Sequence, residues 1–228
     1  MEIDIHLPKN DKLYLINPEK SALGQKIIVS SISMIRDLGI EEFTFKKLAT
    51  KIKSNEASVY RYFNNKHNLL VYLISVYWEV LNMKIEFSTE YIHTPKDKLD
   101  KVIDILVNTE SASPSIRNMD IKSLHDIMIS ESAKAYLTKN VEFEDKEGYF
   151  KSYERLVDTI SKIFIEVNKE YEFPRALACN LIETTYEQFY FSKHFQTLTE
   201  FQNSDSKPKV KRFLETLMFS VLTKGTLN

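Results

Sequence analysis

Ser58, Tyr60, Arg61 and Tyr62 crowd into one short stretch of this 228-residue chain, with Asn55 and Glu56 just before them and Lys66 just after; Thr44, Lys46 and Lys47 stand a little upstream. Hydroxyls, phenols, one guanidinium and several ammonium groups donate hydrogen bonds and carry positive charge. The chemistry they suit is non-covalent: contact with phosphate oxygens and with the polar edges of bases. Groups that would make or break bonds are missing from the sequence. No GxxxxGK[ST], GxGxxG, HExxH or GxSxG occurs, so phosphate-cradling loops, metalloprotease helices and nucleophile elbows are not indicated. A lone cysteine, Cys179, cannot build a thiolate zinc site, and His6, His67, His93, His125 and His194 show no i, i+4 pairing. Neither an enzyme nor a bound metal or cofactor is expected.

Two short helices must position these groups. In FTFKKLATKIKSNEASVYRYFNNKHNLL (43–70), Phe45, Leu48, Ala49 and Ile52 fall at i, i+3, i+4 and i+7, one buried stripe of a helix. Asn55 follows a polar turn and can cap a second helix, its side-chain oxygen accepting an amide of the first turn. Val59 and Phe63 take the inward positions of that second helix, which leaves Tyr60 and Tyr62 outside with Arg61. Two helices set at an angle, the second presenting polar and aromatic groups, fit the major groove of duplex DNA. Ser58 and Glu56 lie near the start of the second helix, where base edges are approached, although Glu56 also complements a helix dipole. Thr44, Lys46 and Lys47 open the first helix and face phosphates; Lys51 and Lys53 read as solvated charge.

Charge is segregated in the same direction. Between positions 20 and 70 there are nine Lys and Arg (20, 26, 36, 46, 47, 51, 53, 61, 66) against four acids (37, 41, 42, 56), a local surplus of five on a chain whose net charge is −1. Positive charge gathered in one small region is the footprint expected of phosphate contact, without promiscuous binding by the whole molecule.

Together with the preceding GQKIIVSSISMIRDLGI, the stretch resembles the N-terminal DNA-binding domain of the TetR family of bacterial transcriptional regulators. The elements that carry the resemblance are Met34-Ile35 ahead of Gly39, Phe43-Thr44, Leu48-Ala49, Val59-Tyr60, Tyr62-Phe63, Lys66 and Leu69-Leu70, spread over about a fifth of the chain. The family usually has a glycine, an apolar residue and a serine in the turn; here Lys53, Ser54 and Asn55 stand there, and Ala57 replaces a frequent glycine. The resemblance implies that Lys66 is a phosphate-binding lysine, that the protein is a homodimer built on its last two helices, and that a ligand cavity lies inside the C-terminal helices.

Length, with 43% apolar and 28% charged residues, fits an ordinary globular protein of about one to two domains. Four Gly and six Pro leave long 3.6-residue periodicity almost unpunctuated, which points to an all-α fold. One cysteine excludes an intramolecular disulfide and suits a reducing compartment; no run approaches the roughly 18 apolar residues of a membrane span, and MEIDIH is no signal peptide. A cytoplasmic setting is expected. The periodicity predicts about nine helices in all, and with the resemblance it divides the chain into an N-terminal arm (1–22), a helix-turn-helix domain (23–66) and what the resemblance implies is a ligand-sensing and dimerisation domain (67–228). The first helix is expected over about 21–38 with Leu38 inward and Gly39 ending it, a long apolar helix over about 66–87 as a connecting rod, a loop at SASPSIRN, a turn at NSDSKPK and a last helix from Val210.

Tyr77, Trp78, His125, Tyr153, Tyr186 and Phe189 (with Tyr72) are large, partly polar side chains at core-facing positions, the composition of a small-molecule pocket for a hydrophobic or planar ligand, though aromatics at helical spacing are also ordinary core. Leu181 and Tyr190 in one helix, and Phe213, Leu217 and Met218 in the last, belong to apolar faces too broad for one partner, which points to a second subunit. The expectation is a ligand-responsive, homodimeric repressor on a palindromic operator, with an unidentified small-molecule effector. The alternatives are a helical binding or scaffold protein of the same fold without operator recognition and, behind it, an all-helical enzyme.

Overall fold

The computed structural model describes residues 10, 12–109, 118–201 and 206–223. Eleven α-helices are described: α1 (Ala22–Glu42), α2 (Phe45–Lys51), α3 (Glu56–Tyr60), α4 (Lys66–Thr89), α5 (Pro95–Val107), α6 (Ile121–Glu131), α7 (Ala133–Tyr136), α8 (Val141–Lys146), α9 (Lys151–Val167), α10 (Pro174–His194) and α11 (Ser206–Thr223), with 3-10 turns at Pro18–Lys20 and Gln196–Leu198. The all-α expectation holds, and the count exceeds nine because the segment after Glu131 breaks into two short helices. SASPSIRN lies outside the described residues except for Asn118, as does much of NSDSKPK; its Ser206 to Lys209 form the first turn of α11 rather than a loop.

Two compact units are formed. The first comprises Met1–Glu79 with Glu110–Ser152, the second Val80–Thr109 with Tyr153–Asn228, so the division falls within α4. In the first unit, Ile27, Ile28, Ser31, Ile32 and Ile35 of α1 are buried, and α1 packs on α6. Arg36 of α1 donates to the Ser123 hydroxyl at 2.7 Å, and Asp120 caps α6 by accepting from the Lys122 amide at 3.0 Å. The helical path of α1 is interrupted at Gly39, which takes φ 76°, ψ 160°, a conformation glycine adopts without the Cβ clash any other residue would meet. Leu38, the last helical residue before it, is 45% exposed, against the expectation that it faces the core: the stripe is covered as far as Ile35 but not at its end.

The second unit is organised by α5, α10 and α11, which pack on one another. Leu99, Val102, Ile103 and Leu106 of α5, Leu177, Leu181 and Ile182 of α10 and Val210, Leu214 and Met218 of α11 are buried in its interior. Among the described residues no helix is long and apolar enough to cross a membrane.

Candidate nucleic-acid interface

Thr44 starts α2 by accepting the Lys47 amide at 3.2 Å, and Asn55 starts α3 by accepting the Ser58 amide at 2.7 Å. These side-chain acceptors satisfy amides that a helix start leaves without intrahelical partners. Phe45, Leu48, Ala49, Ile52, Val59 and Phe63 are buried beneath the two helices, so the apolar stripe read from the spacing is the small core that fixes α2 against α3.

The connection between them is a Schellman turn. The Ser54 amide donates to the Ala49 carbonyl at 2.9 Å and the Lys53 amide to the Thr50 carbonyl at 3.2 Å, with Lys53 at φ 54°. This is the left-handed position that normally selects glycine after a helix. Replacement of the usual glycine by Lys53 therefore leaves the turn closed and places backbone strain of about 1–2 kcal/mol on that residue.

Around this frame the polar groups take different places. Thr44, Lys46, Lys47, Asn55 and Arg61 are exposed, Tyr60 is 46% exposed, and Glu56 and Ser58 are half-buried. Tyr60 is held upright by an edge-on contact with Phe45, ring centroids 5.0 Å apart. The Ser58 hydroxyl donates to Asn55 at 2.9 Å, and the Lys47 ammonium to the Glu42 carbonyl at 2.6 Å. Lys51, read from sequence as free charge, donates to Ser33 at 2.6 Å.

One residue, Tyr62, differs from the sequence-based expectation. Tyr62 is 7% exposed and its hydroxyl lies 2.7 Å from the Ser21 hydroxyl. It does not face outward with Tyr60: Arg61 keeps helical φ/ψ and the Phe63 amide still reaches the Val59 carbonyl, so Tyr62, three residues after buried Val59, lies on the inward side of the turn. Lys66 donates to the carbonyls of Ile40 and Glu41, both at 2.9 Å. Two of its three N–H bonds thus satisfy the end of α1, a favourable place for a cation.

The residues grouped as a ligand pocket fall in both units. In the first, Tyr77, Trp78 and His125 come together as tightly packed core: the Tyr77 hydroxyl is 2.7 Å from His125 Nδ1, and the Tyr77 and Trp78 rings meet edge-on at 5.4 Å. In the second, Tyr186 and Phe189 are buried while Tyr153 is half-exposed and donates to Glu183 at 2.8 Å. A cavity of about 20 Å³, room for roughly one water, lies elsewhere in the first unit, between Pro18, Glu19, Gln25, Ile28, Val29, Tyr72 and Met119. Tyr72 donates to Glu19 there at 3.3 Å, and burial pushes its phenol well above the usual tyrosine range, with Glu19 adding to the shift.

Of the five positions assigned to a subunit interface, Leu181 and Met218 are corrected. Both are 0% exposed within a single chain, so their partners are α5 and the neighbouring helices rather than a second copy. Phe213 is 38% exposed and Leu217 and Tyr190 are half-buried. Tyr190 sits in a ring cluster with Phe191, His194 and Phe195, and Phe195 and Leu198 are exposed beside it. The sequence also gave no warning that the segment before α1 is packed: Leu13 and Tyr14 are buried, and Tyr14 meets Tyr72 edge-on at 5.8 Å.

No protein-family model matches the chain, and no curated protein matches it. Solved structures do. A TetR-family transcriptional regulator from Syntrophomonas wolfei superposes with a TM-score of 0.65 at 12% identity, covering 89% of this chain and 96% of that one. The regulator FadR from Bacillus subtilis, in complex with stearoyl-CoA, gives 0.64 at 18% identity over 85% and 96%. AibR, in complex with isovaleryl coenzyme A and operator DNA, gives 0.57 at 14% identity over 86% and 98%. Over most of its length, the chain has the fold of the TetR-family transcriptional regulators.

Proposed function

We propose that this protein is a DNA-binding transcriptional regulator, a repressor that works as a homodimer on a palindromic operator and is released by a small-molecule effector. The observation that carries the reading is the α2–α3 pair: a closed Schellman turn holds a capped α3 whose exposed side carries Asn55, Tyr60 and Arg61, within a region of surplus positive charge. Thr44, Lys46 and Lys47 contact phosphates, Ser58 and Glu56 approach base edges, and the remaining N–H of Lys66 meets a phosphate while its other two hold α1. Residues 23–66 act as the reading module and the rest as sensor and subunit contact. Tyr62 positions α3 from within instead of touching DNA.

Tyr190, Phe213 and Leu217, continued by Phe195 and Leu198, form the surface through which two copies associate. Two reading heads related by a two-fold axis meet half-sites about 34 Å apart, one helical turn of B-DNA. Two of the similar structures hold acyl thioesters of coenzyme A, and an effector of that class suits an apolar sensor core. Because α4 belongs to both units, an effector that favours one seating of its second half shifts the population of DNA-competent dimers.

The test is binding to a palindromic fragment from upstream of the protein's own gene, across salt and with and without acyl-CoA. Affinity falling steeply with salt, and lowered by the acyl-CoA, is the expected result. Arg61→Ala or Lys46→Ala should each flatten the salt slope by about one unit. Salt-independent or absent binding by the wild type would favour the scaffold reading, and equal affinities with and without acyl-CoA would remove that effector class.

A further inference from the structure

The segment before α1 does more than precede it. The Leu15 amide donates to the Tyr62 carbonyl at 2.9 Å, satisfying an acceptor that the end of α3 leaves without an intrahelical partner. The Ser21 hydroxyl accepts the Gly24 amide at 3.0 Å as the cap of α1 and shares a hydrogen bond with the Tyr62 hydroxyl at 2.7 Å. This part of the segment therefore grips Tyr62, two residues past the end of α3, through both main chain and side chain.

The other end is fastened to the start of α4 and to residues beyond α8. Asn10 donates to the Glu147 carbonyl at 3.0 Å, Tyr149 donates to the Lys12 carbonyl at 2.8 Å, and Lys12 pairs with Glu147. Asn68 of α4 donates to the same Lys12 carbonyl at 3.0 Å. Glu147 and Tyr149 belong to the short connection between α8 and α9. Buried Tyr14, edge-on to Tyr72, pins the middle of the segment.

We infer that Asn10 and residues 12–21 form a positioning strap that couples the α8–α9 connection to Tyr62, just past the end of α3. A five-residue helix such as α3 has too few internal hydrogen bonds to hold its own orientation. The strap supplies fixed partners at Tyr62, and any movement of Glu147 and Tyr149 is transmitted along it. Within the reading proposed above, this makes the α8–α9 connection a second place, besides α4, from which the DNA-reading surface is set.

Amide hydrogen exchange on the full chain tests the strap without DNA. Asn10→Ala combined with Tyr149→Phe removes two of the far anchors, leaving the Lys12–Glu147 pair and the Asn68 bond in place, while touching no residue assigned to the reading face. Exchange at residues 58–63 should rise roughly tenfold or more, as expected from losing the two long-range hydrogen bonds together with the bonds of the Lys12 and Leu13 amides to Asn10, while the amides of Ile28 to Met34 in α1 keep wild-type rates. Unchanged exchange at 58–63, or an equal rise in α1, would overturn the coupling. Asn10→Ala alone, at a half-exposed position, provides a milder variant that should raise the same amides by a smaller factor. Wild-type protein that binds no duplex would sink the operator reading and leave this measurement intact.

Discussion

Lys53 offers the sharpest test of the local physics. At φ 54° it occupies the left-handed region, which costs a residue with a Cβ about 1–2 kcal/mol. Lys53→Gly removes that strain but makes the unfolded chain more flexible, at a cost of about 0.5–1 kcal/mol. The expected gain is the difference, about 0.5–1 kcal/mol, or a rise of roughly 1–4 °C in Tm for a chain of this size. Loss of a positive charge from a positively charged region could mimic the effect, so Lys53→Ala is the control: it removes the charge and keeps the Cβ. Urea unfolding followed by circular dichroism, at low and high salt, compares the three proteins. The Ser54 amide, bonded to Ala49 across the turn, should exchange more slowly in the glycine variant alone. If alanine stabilises as much as glycine, or if the gain vanishes at high salt, the strain argument fails and charge relief takes its place. Because Lys53 is assigned no DNA contact, the salt slope of operator binding should not change.

A Cβ on Gly24 would stand 2.1 Å from the Pro18 carbonyl oxygen, so Gly24→Ala should destabilise by about 1–3 kcal/mol despite the better helix propensity of alanine, as read by urea midpoint; a raised midpoint would show that the 3-10 turn moves freely. Lys66→Met abandons the Ile40 and Glu41 carbonyls and should cost about 1–2 kcal/mol, visible in thermal unfolding, while weakening operator binding evenly across sequences; a change in sequence preference would place Lys66 on a base instead. The Ser123 hydroxyl, then the amides of Ser123 and Lys122 and the charge of Arg36, hold the Asp120 carboxyl below the usual range against the opposing effect of burial. A depressed folded-state value means stability that is present above the ordinary carboxylate range and lost as pH falls through the lowered one. Asp120→Asn keeps a capping oxygen without a titrating group, so its deficit in Tm against wild type should shrink on acidification; a constant gap from neutral to acid pH would contradict this.

What the sequence discloses here is local. The stripe from Phe45 to Ile52 and the Asn55 cap each depend on partners within a few residues, so spacing alone locates them. Tyr62 is different, because the partner of its hydroxyl is Ser21, separated from it by 41 positions. The strap is less legible still: Asn10 and Tyr149 make their bonds across 137 positions, and two of those acceptors are main-chain carbonyls, which leave no mark on residue type. Leu181 and Met218 show the same limit for apolar faces. A broad stripe states that two partners exist, but not whether both come from one chain.

The unit that carries α1 is assembled from two separate stretches, Met1–Glu79 and Glu110–Ser152. On a ribosome, α1 to α3 emerge well before α6, the helix that covers α1. At about 5–20 residues per second, the interval between the end of α1 and the end of α6 is roughly 4–18 s. During it the side of α1 that packs on α6 lacks its native cover, although the Pro18–Lys20 turn and α2 are already in place. The helices that read as an autonomous module in sequence are thus obliged to wait for a distant segment, and the nascent chain has a window in which chaperones or a neighbouring chain can compete for that face.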